Sequence, residues 1–109
     1  MPAASRDALP FGVVGMDSAG ITTIYNATEA RMAGLAPAKV LGISFFDAVA
    51  QCMNNFMVAQ RFDDAAANDS ALDVTIDYVL TLRMRPTKVA LRLLALPGQA
   101  MRYVLVHRL

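Results

Sequence analysis

The stretch "LPFGVVGMDSAGITTIYNATEA", residues 9–30, decides how the rest of the chain is read. An apolar run leads into the polar turn Asp17 to Gly20, and a β-branched run then ends at Tyr25, the pattern of a β-hairpin. Asn26 follows as a side chain suited to cap a short helix. Glu29, three residues on, is placed to reach back as the second half of a capping box. Gly34 and Pro37 end that helix.

Outward from this opening, "APAKVLGISFFDAVAQC" offers only short helical pieces broken by Pro37 and Gly42. From Met53 to about Asn68 the spacing of Met53, Phe56, Met57, Val58 and Phe62 predicts one longer amphipathic helix. "LDVTIDYVLTLRMR" alternates, with Ile76, Tyr78, Leu80, Leu82 and Met84 on one face. "KVALRLLAL" and "MRYVLVHRL" complete five strands, separated by turns at Pro86–Thr87 and "PGQ". Two strands, then helices, then three strands describe an α+β domain: a five-stranded antiparallel sheet with short helices and one longer helix on one face.

Composition narrows what such a domain does. A chain of 109 residues fits a single domain, and 56% hydrophobic against 17% charged residues is ample apolar surface for a core. No stretch approaches the ~20 uncharged apolar residues of a membrane span, and Arg6 and Asp7 interrupt any signal-peptide run, so the expected location is cytoplasmic. A formal net charge of +1 argues against nucleic acid as a partner. Arg83, Arg85, Lys88 and Arg92 read as a solvated hairpin face. One cysteine and one histidine give neither a disulfide framework nor a zinc site, and no metal is expected. His107 reads as structural and the seven methionines as core filling.

No G-x-S-x-G, phosphate-binding glycine loop or H-E-x-x-H is present, and Cys52 has no nearby base in sequence, so enzymatic activity is not expected. What remains is Tyr25, Glu29 and Cys52. Tyr25 and Glu29 stand four residues apart, close enough for a phenol and a carboxyl to converge if the turn after Asn26 is helical. The plainer reading makes Glu29 a capping acid, Tyr25 a strand end and Cys52 a small buried residue.

At these residues the chain resembles the photoactive yellow proteins, light-sensing PAS domains. The likeness runs through "LPFGVVGMDSAGITTIYNATEA" and "VLGISFFDAVAQC" and resumes at "DYVLTLRMRPTKV" and "RYVLVHRL". It implies a single PAS domain over 1–109, with residues 1–8 as a short amino-terminal extension. It also implies p-coumaric acid held as a thioester on Cys52, with Tyr25 and Glu29 hydrogen-bonding its phenolate. Phe45 and Phe46 match the family's paired phenylalanines, and Met84 a methionine that assists thermal recovery. Photoisomerisation, proton transfer from Glu29 and an unpaired buried carboxylate would then drive a conformational signal in response to blue light. That expectation takes Glu29 to lack a cationic neighbour.

The chain departs from the family pattern at Ala33 for a threonine, Leu35 for an arginine and Gln51 for a proline. These departures suit an alternative, a PAS sensory or dimerisation module without this chromophore, binding another small apolar ligand or none. The downstream partner or fused output domain is not written in the sequence. By analogy with PAS domains a homodimer is admissible.

Overall fold

The computed structural model describes residues 3–81 and 86–108. Among these, β1 (Gly12–Met16) and β2 (Thr22–Tyr25) form the expected hairpin, and α2 (Ala27–Ala33) follows at once. A short α1 (Ala3–Asp7) precedes them, and α3 (Ala59–Ala67), β3 (Leu72–Leu80), β4 (Thr87–Ala95) and β5 (Arg102–Arg108) complete the domain. All neighbours pair antiparallel in the order β2-β1-β5-β4-β3, so β1 and β5 meet in the middle of the sheet.

Strand alternation sorts the side chains. Val14 and Met16 of β1, Leu91 and Leu93 of β4, and Val104 and Val106 of β5 are buried in one cluster with Val40, Phe45, Met53, Val58 and Phe62 from the connecting segment. At about 25 cal/mol per Å² of apolar surface, burying each large side chain contributes ~1.5–3 kcal/mol, the main force holding helices to sheet. α2 packs on β1, and α3 on β3 and β4. The register shift between Gly15 and Met16 matters locally. It turns Thr22 and Tyr25, three residues apart, to the interior together, where unbroken alternation would send one outward.

The cap is half of what the spacing predicts. The Asn26 side chain accepts from Glu29 N–H at 3.0 Å, but the Asn26 N–H donates to Val13 C=O, so Glu29 closes no capping box. Asn26 instead ties helix to sheet: its Oδ1 also accepts from Val13 N–H at 2.9 Å, and its Nδ2 donates to the carbonyls of Arg6 and Phe11. Asp7 contributes as well, its Oδ1 accepting from Ala27 N–H at 2.8 Å. Gly34 ends α2 at φ 73°, a left-handed cap that glycine takes without strain.

The longer helix is shorter than its periodicity implies. It starts at Ala59, because Asn55 Oδ1 accepts from Met57 N–H and Val58 N–H and forms a side-chain turn instead. Met53 lies in a 3₁₀ turn (Gln51–Met53), and Phe56, expected on the apolar face, is 79% exposed. β3 closes at Leu80 within the described residues; the expected positions of Leu82, Arg83, Met84 and Arg85 lie outside them. No described helix is long and apolar enough to cross a membrane.

Candidate functional site

Tyr25 is 7% exposed and belongs to the central buried cluster together with Phe45, while Phe46 and Cys52 pack against that cluster. Four of the six expected site residues therefore belong to or border one buried cluster. Phe45 and Phe46 open a π-helical turn (Phe45–Val49) and contact each other edge to face at 5.3 Å. The Phe46 ring also reaches Phe62 of α3 at 6.1 Å. Such pairs add about 0.5–1.5 kcal/mol beyond burial and fix ring orientation.

Cys52 is a half-buried free thiol in the 3₁₀ turn. Its backbone is pinned by two donors to one carbonyl: Tyr78 Oη at 2.6 Å and Asn55 Nδ2 at 3.1 Å. Asn55 also donates to Tyr78 Oη at 2.6 Å, closing a triangle between the turn and β3. Upstream, Gln51, at the family's proline position, donates its side-chain amide to Asp47 C=O at 2.6 Å. Its amide thus makes the local tie in place of a fixed ring. Sequence reasoning missed Tyr78 and Asn55 as supports of the thiol. Their alternation and Asx-turn chemistry are visible in sequence, but their meeting is not.

Glu29 is buried, 3% exposed, and both of its carboxylate oxygens are held by Arg108, Nη1 to Oε1 at 2.7 Å and Nη2 to Oε2 at 3.1 Å. This overturns the expectation that Glu29 has no cationic neighbour. The fold makes room for it at Gly12, where an added Cβ would collide with Glu29 Oε1. Arg108 is the residue most clearly missed, yet it left a signal: in "RYVLVHR" it shares the inward alternation of Val104 and Val106, which puts a cation at a core position. Its neighbour His107 faces the other way and stacks on Phe11 at 4.4 Å.

The donor set suits a phenolic ligand anchored by a thioester: one free thiol, a buried phenol, a buried carboxyl and an aromatic pair. Thr22 adds a buried hydroxyl with no hydrogen-bond partner among the described residues. Glu29 is a mismatch, because both of its oxygens are already occupied by Arg108. Ala33 is buried and Leu35 packs against the core, so both departures from the family pattern replace polar groups by apolar contact. Met84 lies outside the described residues. No group of three or more His, Cys, Asp or Glu able to hold a metal occurs among the described residues.

No family model matches the chain. Relatives do. A photoactive yellow protein from Rhodothalassium salexigens is 36% identical over 86 residues, 79% of this chain and 68% of that one. The photoactive yellow protein domain of the sensor histidine kinase Ppr from Rhodospirillum centenum superposes with a TM-score of 0.89 at 34% identity, covering 98% of this chain and 93% of that domain. The PAS domain of nitrogen regulation protein NR(II) from Vibrio parahaemolyticus, 12% identical with a TM-score of 0.70 over 100% of this chain and 98% of that one, shares the fold alone. With this similarity spread over most of its length, the chain belongs to the photoactive yellow protein family and has its α+β PAS fold.

Proposed function

We propose that this domain is a blue-light receptor carrying p-coumaric acid as a thioester on Cys52, and that it signals by conformational change without enzymatic turnover. The observation that carries the reading is the free Cys52 thiol on the cluster that buries Tyr25, with buried Glu29 one helical turn beyond Tyr25. Bound there, the p-coumaroyl group would supply visible absorption and a photoisomerisable double bond. Cys52 anchors, and the Tyr78–Asn55 triangle holds its backbone still. Tyr25 and Glu29 supply the polar end of the site, and Phe45 and Phe46 its apolar walls. Met84 completes the expected set. Glu29 is the group whose proton matters, because a carboxylate left unpaired in the interior costs several kcal/mol and forces rearrangement.

The output would be a partner protein or a fused domain; the related Rhodospirillum centenum domain comes from a sensor histidine kinase. A second reading, a PAS module holding a different small apolar ligand, is favoured by one observation, the engagement of Glu29 by Arg108. Acylation decides between them. Incubated with an activated p-coumaric thioester, the wild-type chain should gain the mass of one p-coumaroyl group as the Cys52 sulfur displaces the leaving thiol. Cys52→Ala should gain nothing. A folded wild-type chain that stays unmodified, or an adduct on Cys52→Ala, defeats the proposal.

A further inference from the structure

β5 outruns its neighbour β1. Their register ends at the Gly12–Val106 pair, so His107 and Arg108 are paired on the β4 side only, with Ala90 and Val89. The Glu29–Arg108 ion pair is what fastens the other side of that overhang to α2, and it does so almost out of water, with side-chain exposures of 4% and 13%. Other charged groups nearby are engaged elsewhere or exposed. Asp7 accepts from Ala27 N–H, Arg31 lies on the exposed side of α2, and His107 stacks on Phe11 across the sheet.

A carboxylate gripped through both oxygens by a guanidinium has no proton to offer a ligand oxygen. We propose that Arg108 is the positioning residue of Glu29: Glu29 serves either Arg108 or the hydroxyl end of a bound ligand, and β5 is fastened to α2 only while it serves Arg108. The identity of that ligand rests on the chromophore reading above; the exchange of partners does not. Because coupling is reciprocal, a ligand that takes Glu29 loosens the end of β5, and loosening that end makes Glu29 easier to take.

Amide hydrogen exchange tests this in two arms. In the ligand-free protein, Arg108→Gln and Glu29→Gln should each speed exchange at Val106–Arg108 on the order of tenfold, with no further gain in the double variant. Arg108→Lys should restore most of the protection. Independent, additive effects, or none, overturn the proposal. In the second arm Cys52 is acylated with p-coumaroyl or with cinnamoyl, which lacks the hydroxyl, and intact mass confirms each adduct. The p-coumaroyl adduct should loosen Val106–Arg108 in the wild type, the cinnamoyl adduct should not, and Arg108→Gln should show no difference between them. Equal protection in both wild-type adducts refutes the exchange of partners. If Cys52 takes neither group, the chromophore reading fails, and the ligand-free cycle still decides whether Arg108 holds Glu29.

Discussion

Replacing Gly12 by alanine tests the geometry around Glu29 without any ligand. The backbone tolerates alanine here, since Gly12 is not among the positive-φ glycines. The new methyl would overlap Glu29 Oε1 and stand 3.0 Å from its Cδ and 3.1 Å from its Cβ. The carboxylate has to move, leaving the Arg108 guanidinium, 13% exposed, without its partner. Breaking a buried ion pair costs ~3–5 kcal/mol, and partial exposure of the arginine places this case at the low end. Alanine in a strand returns roughly 0.5–1 kcal/mol of backbone entropy. The net loss is therefore about 2 kcal/mol, a fall in melting temperature of about 9 °C for a domain of this size. Urea unfolding should show it as a lower midpoint at unchanged slope. In a Glu29→Ala background, where Oε1 and Cδ are gone and only the 3.1 Å approach to the residue-29 Cβ remains, Gly12→Ala should cost much less. Gly15→Ala, whose methyl would meet Ile24 Cβ at 2.9 Å, serves as a steric control insensitive to residue 29. An equal cost for Gly12→Ala in both backgrounds would refute the packing of the carboxylate against β1.

Three further outcomes follow from the same contacts. Tyr78→Phe removes a hydroxyl that both donates to Cys52 C=O and accepts from Asn55; it should cost about 1–2 kcal/mol and speed alkylation of the Cys52 thiol, and an unchanged alkylation rate would count against the triangle as its support. In the p-coumaroyl adduct, Glu29→Gln should shift absorption to the red, because an amide is a weaker donor than a protonated carboxyl; an unmoved band would remove Glu29 from the site. On the sheet surface, the side-chain hydrogen bond from Arg92 is the main cause holding the Asp73 carboxyl below its ordinary range, and this favours its ionised form only in the folded state. Its contribution is thus present above the unfolded value and lost as pH falls through the folded one. Salt screens it, so at low ionic strength Asp73→Asn should lower neutral stability slightly, flattening the acid limb from above, and leave stability below that limb unchanged.

Local chemistry made much of this domain legible in sequence. The hairpin, the Asn26 cap and the Gly34 stop depend on residues within a few positions of one another, and each stands where spacing put it. Periodicity failed from Met53 to Val58 because Asn55 competes for the backbone with its own side chain, a preference that apolar spacing does not register. The capping box failed for a different reason: Glu29 has a stronger partner, and the Asn26 N–H a closer acceptor, only once β1 and β5 lie side by side. Arg108 could be flagged as an inward cation, but its partner could not be named without the sheet order that brings residue 108 to residue 29. Tyr25 and Cys52 were found through the family pattern, and the buried cluster gives them a shared setting.

The central claim is tested most directly by one absorption experiment. The wild-type chain, acylated with p-coumarate at Cys52 and checked by mass, is recorded in the dark and after a blue flash. A visible band that bleaches and then recovers in the dark is the predicted result. A stable adduct whose absorption is indifferent to light would contradict the account, leaving Cys52 a thiol that accepts an acyl group without making the domain a photoreceptor.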